Sequence, residues 1–99
     1  MEKDFYYIEL FEIYGGLLTE NQKDAFYSHY CLDLSLAEIA EDKGLGRQSV
    51  FDTIKNAKTK LDEYERVLKL REKFKKLKEL TEAATEEKLA AEIISVIGE

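Results

Sequence analysis

The run Leu34-Ser35-Leu36-Ala37-Glu38-Ile39-Ala40-Glu41-Asp42-Lys43-Gly44-Leu45-Gly46-Arg47-Gln48-Ser49-Val50-Phe51-Asp52-Thr53-Ile54-Lys55 decides the fold. Ser35 is a good helix N-cap and Glu38 stands at the capping-box position three residues on. Leu36, Ile39 and Ala40 give the short helix one apolar side, and Gly44 supplies the left-handed residue that ends it. A second helix then begins at Arg47. A short helix, a tight turn containing glycine and a longer second helix make a helix-turn-helix. Leu36, Ile39, Ala40, Leu45, Val50 and Ile54 form the expected apolar wedge between its arms.

Outward from this run the helical pattern continues both ways. Val50, Ile54, Ala57, Leu61, Tyr64 and Leu68 follow one another at spacings of 4, 3, 4, 3 and 4, a single helical stripe. Beyond it Val67, Leu70, Phe74, Leu77 and Leu80 drift off that face, which predicts a bend or break between Glu65 and Leu70. Upstream, Thr19 caps a helix with Gln22 in the capping-box position, and Ala25, Phe26 and Tyr30 form its inner face. Asp4 is the expected N-cap of a first helix with Tyr7, Phe11 and Tyr14 inward and Ile8 and Leu10 flanking, stopped by Gly15-Gly16. Thr85 with Glu86-Glu87 is expected to open a last helix carrying Leu89, Ile93, Val96 and Ile97.

The 99 residues contain no proline, and nothing in their pattern alternates as a strand does. The expected fold is all-α: a three-helical helix-turn-helix core with an N-terminal helix and a C-terminal helical extension. The chain reads as one domain, 1–99, with the core at 18–65 and the extension at 66–99. No apolar run approaches the ~18 residues of a membrane span, and Met1-Glu2-Lys3-Asp4 is unlike a signal peptide. The single cysteine rules out an internal disulfide and fits a reducing cytoplasm.

The formal net charge of -6 argues against a generally basic nucleic-acid binder. It is unevenly spread. Residues 1–42 carry 2 positive and 10 negative side chains, whereas residues 43–60 carry 5 positive and 1 negative. The turn and the second helix are thus a basic island. On that helix Arg47, Gln48, Ser49, Lys55, Asn56 and Lys58 are the candidate nucleic-acid contacts. Arg, Gln and Asn can reach base edges, and Lys meets phosphate. Asp52 on the same face opposes phosphate. A second basic run, Arg66, Lys69, Arg71, Lys73, Lys75, Lys76 and Lys78 with only Glu72 among them, is the candidate partner surface. Such a run suits RNA phosphates, anionic lipid or an acidic protein, and also an ordinary solvated face.

The wording of two stretches adds a resemblance. Leu10-Phe11-Glu12-Ile13-Tyr14-Gly15-Gly16-Leu17-Leu18-Thr19-Glu20-Asn21-Gln22 resembles the opening of the YlxM family of small bacterial proteins. Leu34–Glu41 followed by Arg47–Lys55 resembles the same family more specifically. The likeness spans roughly residues 8–75 and weakens after Lys75. It implies an all-α protein whose helix-turn-helix is similar to the promoter-reading C-terminal domain of sigma factors. Family genes lie beside those for the signal recognition particle GTPase. The resemblance therefore implies a regulatory role in co-translational membrane targeting, with that GTPase, its RNA, or both as partners. Gly46 stands where the family usually has Ser, and Phe51 where Tyr is common.

Catalysis finds no support. His29 and Cys31 are the only residues of their types, and a two-residue spacing points them to different sides of a helix. No metal set, phosphate loop, dinucleotide fingerprint or nucleophile elbow occurs, and no cofactor is implied. Cys31 is expected as a small core residue. Eleven aromatics, with Phe5, Tyr6, Tyr7, Phe11 and Tyr14 crowded into the first helix, exceed what one short helix buries on one face, so this helix is either buried on two sides or part of a dimer, and a homodimer is the expectation. Two other functions fit the same residues. One is a DNA-binding transcriptional regulator using Arg47, Gln48, Ser49 and Lys55. The other is a protein-binding helical adaptor that touches no nucleic acid.

Overall fold

Val50, Ile54, Ala57 and Leu61 are each no more than 5% exposed, and the helix carrying them lines the core of residues 1–67. The computed structural model describes residues 5–83 and 93–98. Helices α1 (Phe5–Tyr14), α2 (Glu20–Tyr30), α3 (Leu36–Lys43), α4 (Arg47–Leu68) and α5 (Leu70–Ala83) follow in order, with a 3-10 turn at Gly15–Leu17. Residues 93–97 are also helical, and no strand occurs among the described residues. Two compact units make up the chain, Met1–Val67 and Leu68–Glu99.

Local chemistry sets each boundary in the first unit. The hydroxyl of Thr19 accepts from the Gln22 N–H while the Gln22 side chain accepts from the Thr19 N–H, a complete capping box at α2. Ser35 and Glu38 do the same at α3, with bonds of 3.0 and 2.8 Å. The backbone N–H of Ser35, donating to the Glu38 carboxyl, is the larger cause holding that carboxyl below its usual value, with the nearby Ser35 side chain adding to it. At the first glycine pair, a Cβ on Gly15 would stand 3.3 Å from the Phe11 ring. Glycine there lets α1 end with Phe11 folded across the turn.

The buried core joins Leu10, Tyr14 and Leu18 to Ala25, Phe26 and Tyr30, to Ile39 and Ala40, and to the α4 stripe. Burying a large apolar side chain contributes about 1.5–3 kcal/mol, so the four inner positions of α4 dominate its docking. Phe11 stacks on Phe26 with ring centroids 4.7 Å apart, and Phe26 on Tyr30 at 4.6 Å. Across the α1–α4 contact the Tyr14 hydroxyl donates to Glu65 at 2.7 Å, and both side chains are buried. The Tyr7 hydroxyl donates to Asp62 at 2.9 Å, one helical turn nearer the start of α4.

Several expectations need correcting. The inner line of α1 is Leu10 and Tyr14, whereas Tyr7 and Phe11 are half-buried. Their rings lie along its edges, Phe11 against Phe26 and Tyr7 tied to Asp62. Cys31 is exposed. It is the first residue past α2, and the chain turns away there through Asp33 at φ 58°. In the wedge, Ile39, Ala40, Val50 and Ile54 are buried, but Leu36 is half-buried and Leu45 is 49% exposed. The stripe of α4 also fades, Tyr64 being half-buried and Leu68 exposed.

The break expected between Glu65 and Leu70 falls at Lys69. Its φ of 55° is left-handed, so α4 stops at Leu68 and α5 starts at Leu70. The second unit holds α5, in which no described side chain is fully buried, together with Val96, which is. Asp4, Thr85, Glu86, Glu87 and Leu89 lie outside the described residues.

Candidate nucleic-acid interface

The turn between α3 and α4 is built by Gly44. Its φ of 67° allows its own N–H to reach Glu41 O and the Leu45 N–H to reach Ala40 O at 2.8 Å. This is a Schellman closure, and it sets where the chain re-enters a helix. Gly46 then begins α4 with a backbone bond alone, its carbonyl accepting from Val50 N–H at 3.2 Å. Gly46 has no side chain with which to cap this end, and Arg47, Gln48 and Ser49 of the first turn are all exposed.

The candidate contacts are not equivalent. Arg47, Lys55 and Asn56 are exposed, as is Lys60, and among the described residues Arg47, Lys55 and Lys60 make no ion pair. The Gln48 side-chain amide donates to Asp52 at 3.0 Å, one turn along the same face. That bond ties up one donor and sets a carboxylate among the would-be contacts. Ser49 gives its carbonyl to the Thr53 hydroxyl at 2.9 Å. Lys43, counted in the basic island, is ion-paired to Asp24 of α2.

Lys58 serves the interior. It is half-buried, donates to the Tyr30 hydroxyl at 3.0 Å and stands 4.7 Å from the centre of the Tyr7 ring. A cation over an aromatic face is attracted by the ring quadrupole. Together with Tyr7, Tyr30, Phe51, Lys55 and Asp62, Lys58 lines a groove of about 350 Å³ beside α4. Burial and the bond to the Asp62 carboxylate raise the Tyr7 hydroxyl above its ordinary value, with Lys58 opposing them. Sequence reading missed this groove. Its one visible sign was Phe51, an aromatic next to the Val50 stripe rather than on it, and 48% exposed.

The second basic run spans two helices. Arg66 is in the last turn of α4, Lys69 occupies the left-handed break, and Arg71, Lys73, Lys75, Lys76 and Lys78 are on α5. Lys75, Lys76 and Lys78 are exposed, Arg71 and Lys73 half-buried. Among the described residues no group of three His, Cys, Asp or Glu side chains is placed to hold a metal. No helix there is long and apolar enough to cross a membrane.

Comparison with known proteins agrees with this geometry. Residues 1–97 match a family model described as "Putative helix-turn-helix protein, YlxM / p13 like" and called UPF0122. The chain is similar to the YlxM protein of Bacillus subtilis, 39% identical over 95 residues covering 89% of this chain and 86% of that one. It is also similar to a UPF0122 protein of Halalkalibacterium halodurans, 39% identical over 92 residues covering 89% and 84%. A UPF0122 protein of Thermoanaerobacter pseudethanolicus is 35% identical over 107 residues covering 100% and 92%.

Proposed function

The chain belongs to the UPF0122 family of YlxM/p13-like helix-turn-helix proteins, and from that premise we propose that it is a non-enzymatic, cytoplasmic regulator of the signal recognition particle pathway. It acts through a nucleic acid, the particle's own RNA being the expected ligand, with the targeting GTPase as protein partner. The observation that carries this reading is the exposed first turn of α4 after the tight Gly44 turn. There Arg47, Gln48 and Ser49 sit on the first turn, with Lys55 and Asn56 two turns on. The pathway itself comes from the resemblance to the YlxM family.

The geometry also limits how tightly such a helix holds a backbone. With Lys43 paired to Asp24 and Lys58 turned to Tyr30, the cations of the 43–60 island left for phosphate are Arg47, Lys55 and Lys60. Each phosphate neutralised adds about -0.9 to the logarithmic salt slope on duplex DNA and about -0.7 on single strands. Three contacts predict a slope near -2 to -3. Affinity should then fall roughly 20- to 40-fold between about 50 and 200 mM salt.

The test is a titration of the full chain with signal recognition particle RNA and, separately, with duplex DNA at both salt concentrations. RNA binding with that slope, lost in Arg47→Ala, supports the proposal. Sequence-selective duplex binding that needs Arg47 favours the DNA-binding regulator, to which the base-edge donors of Arg47 and Gln48 also lend themselves. Binding to neither at low salt overturns both and leaves a protein adaptor, working through Arg66, Lys69, Arg71, Lys73, Lys75 and Lys76.

A further inference from the structure

Phe51 is 48% exposed, and among the described residues no ring is stacked on it. Arg47 and Lys55 stand four residues to either side of it on α4. That spacing keeps all three on one side of the helix, the two cations about 12 Å apart along the axis with the ring between them. Both cations are exposed, and among the described residues neither makes an ion pair.

Hollows open on both sides of this ring. Toward the start of α4 one of about 460 Å³ is lined by Leu36, Arg47, Gln48 and Phe51. Toward its middle the groove of about 350 Å³ begins at Leu36 and Phe51 and runs past Lys55 and Lys58 to Asp62. Leu36 and Phe51 line both hollows, so the two meet at that apolar pair. The charged side chains described along them are Arg47, Lys55 and Lys58 against Asp62, whose carboxylate already accepts from the Tyr7 hydroxyl. Asp52 lines neither hollow and is joined to Gln48. Every one of these residues belongs to the first unit.

We propose that Phe51 is a stacking platform for an unpaired RNA base, with Arg47 and Lys55 holding the phosphates on either side of it. This rests on the reading of α4 as an RNA-binding helix, and it names the form of RNA that the helix takes. Paired RNA is A-form, with a major groove too deep and narrow for side chains to read. An unpaired base instead offers an open face on which an aromatic ring stacks, whatever the base. Phe51 has neither donor nor acceptor, so it reads no base edge. The contact it could make in duplex DNA, with the thymine methyl, has no counterpart on uracil. A ring set between two cations that seek phosphate matches a single strand, whose bases turn to the protein while its backbone follows the charges.

The test titrates the full chain at about 50 mM salt with a labelled single-stranded RNA of about 12 nucleotides, and with the same RNA annealed to its complement. Fluorescence anisotropy is the readout. The single strand should bind more tightly by at least about fivefold. Phe51→Ala and Phe51→Leu should each weaken that binding roughly 5- to 150-fold with the salt slope unchanged, and Phe51→Trp should keep the parent's affinity. Lys55→Ala should instead make the slope shallower by about 0.7. Circular dichroism confirms that each variant is folded, and Phe51→Leu keeps an apolar side chain beside Leu36 should alanine disturb α4. Equal affinity for single strand and duplex, or a Phe51→Leu variant that binds as the parent does, would overturn the stacking role and leave the nucleic-acid reading standing. A parent that binds neither RNA would overturn both. A Phe51→Ala variant that loses a dimer in sedimentation equilibrium while keeping its RNA affinity would give the ring to a second copy of the chain and also overturn the proposal.

Discussion

Tyr14→Phe is the most incisive perturbation of this fold, because it removes one oxygen atom and nothing else. Tyr14 is 1% exposed and its hydroxyl donates to Glu65 at 2.7 Å, a carboxylate whose residue is itself only 8% exposed. A hydrogen bond to a charged group contributes about 1.5–3 kcal/mol, and the partner left behind stays desolvated. The ring keeps its packing against Tyr64, 5.9 Å away, so no cavity of consequence forms. The expected loss is about 2 kcal/mol. For a domain of this size about 1 kcal/mol moves the midpoint 4–8 °C, so the melting temperature should fall by roughly 8–16 °C.

The assay is urea and thermal unfolding followed at 222 nm, read as a double-mutant cycle with Glu65→Leu. Replacing both partners by apolar groups removes the buried carboxylate along with its hydrogen bond, so Tyr14→Phe with Glu65→Leu should cost less than the sum of the single changes. The expected coupling is about 1.5 kcal/mol or more. An unchanged m-value would show that the loss lies in stability rather than in the denatured state. A Tyr14→Phe cost below about 0.5 kcal/mol, or strictly additive changes, would refute the view that this pair fastens α1 to α4.

Gly46→Ser should stabilise the chain by about 0.5–1 kcal/mol, through a side-chain cap for α4 and a stiffer unfolded chain. A Cβ there meets nothing within 4 Å, and a higher urea midpoint is the readout. For Tyr7 the sign follows from its raised folded value. Its protonated hydroxyl favours the folded state below the ordinary pH of about 10, and that contribution is lost as pH climbs through the folded value. Tyr7→Phe should therefore flatten the alkaline limb of the stability profile, while leaving the profile at neutral pH without a new slope.

What the sequence made legible was whatever rests on local rules. Both capping boxes, the left-handed Gly44, the inner positions of α4 and the break before α5 depend on residues within a turn or two of one another. The α1 face was misjudged because the aromatic spacing of Tyr7, Phe11 and Tyr14 outweighs a lone Leu10. Only the position of Phe26 shows that Phe11 is an edge residue. Cys31 read as core because free cysteine is among the most buried residue types, whereas α2 ends one residue before it. Glu65 was invisible for a stronger reason. A carboxylate belongs at the surface unless a partner meets it, and Tyr14 lies 51 positions away in the chain.

The same distinction changes how charge is read. Along the sequence, residues 43–60 form a basic island of five cations. In the fold, Lys43 is paired to an acid of α2, Lys58 is turned inward to tyrosines of α1 and α2, and Asp52 is joined to Gln48. The exposed cations on α4 are fewer than the count implies, and the surrounding residues 1–42 are strongly acidic. A long polyanion lying along the whole molecule would meet that acid and be repelled. A nucleic acid touching α4 alone avoids most of it, particularly one already held by another protein, which supplies the remaining affinity. On the nucleic-acid reading proposed above, weak intrinsic binding confined to the end of one helix would let an acidic protein engage nucleic acid at one place and ignore it elsewhere.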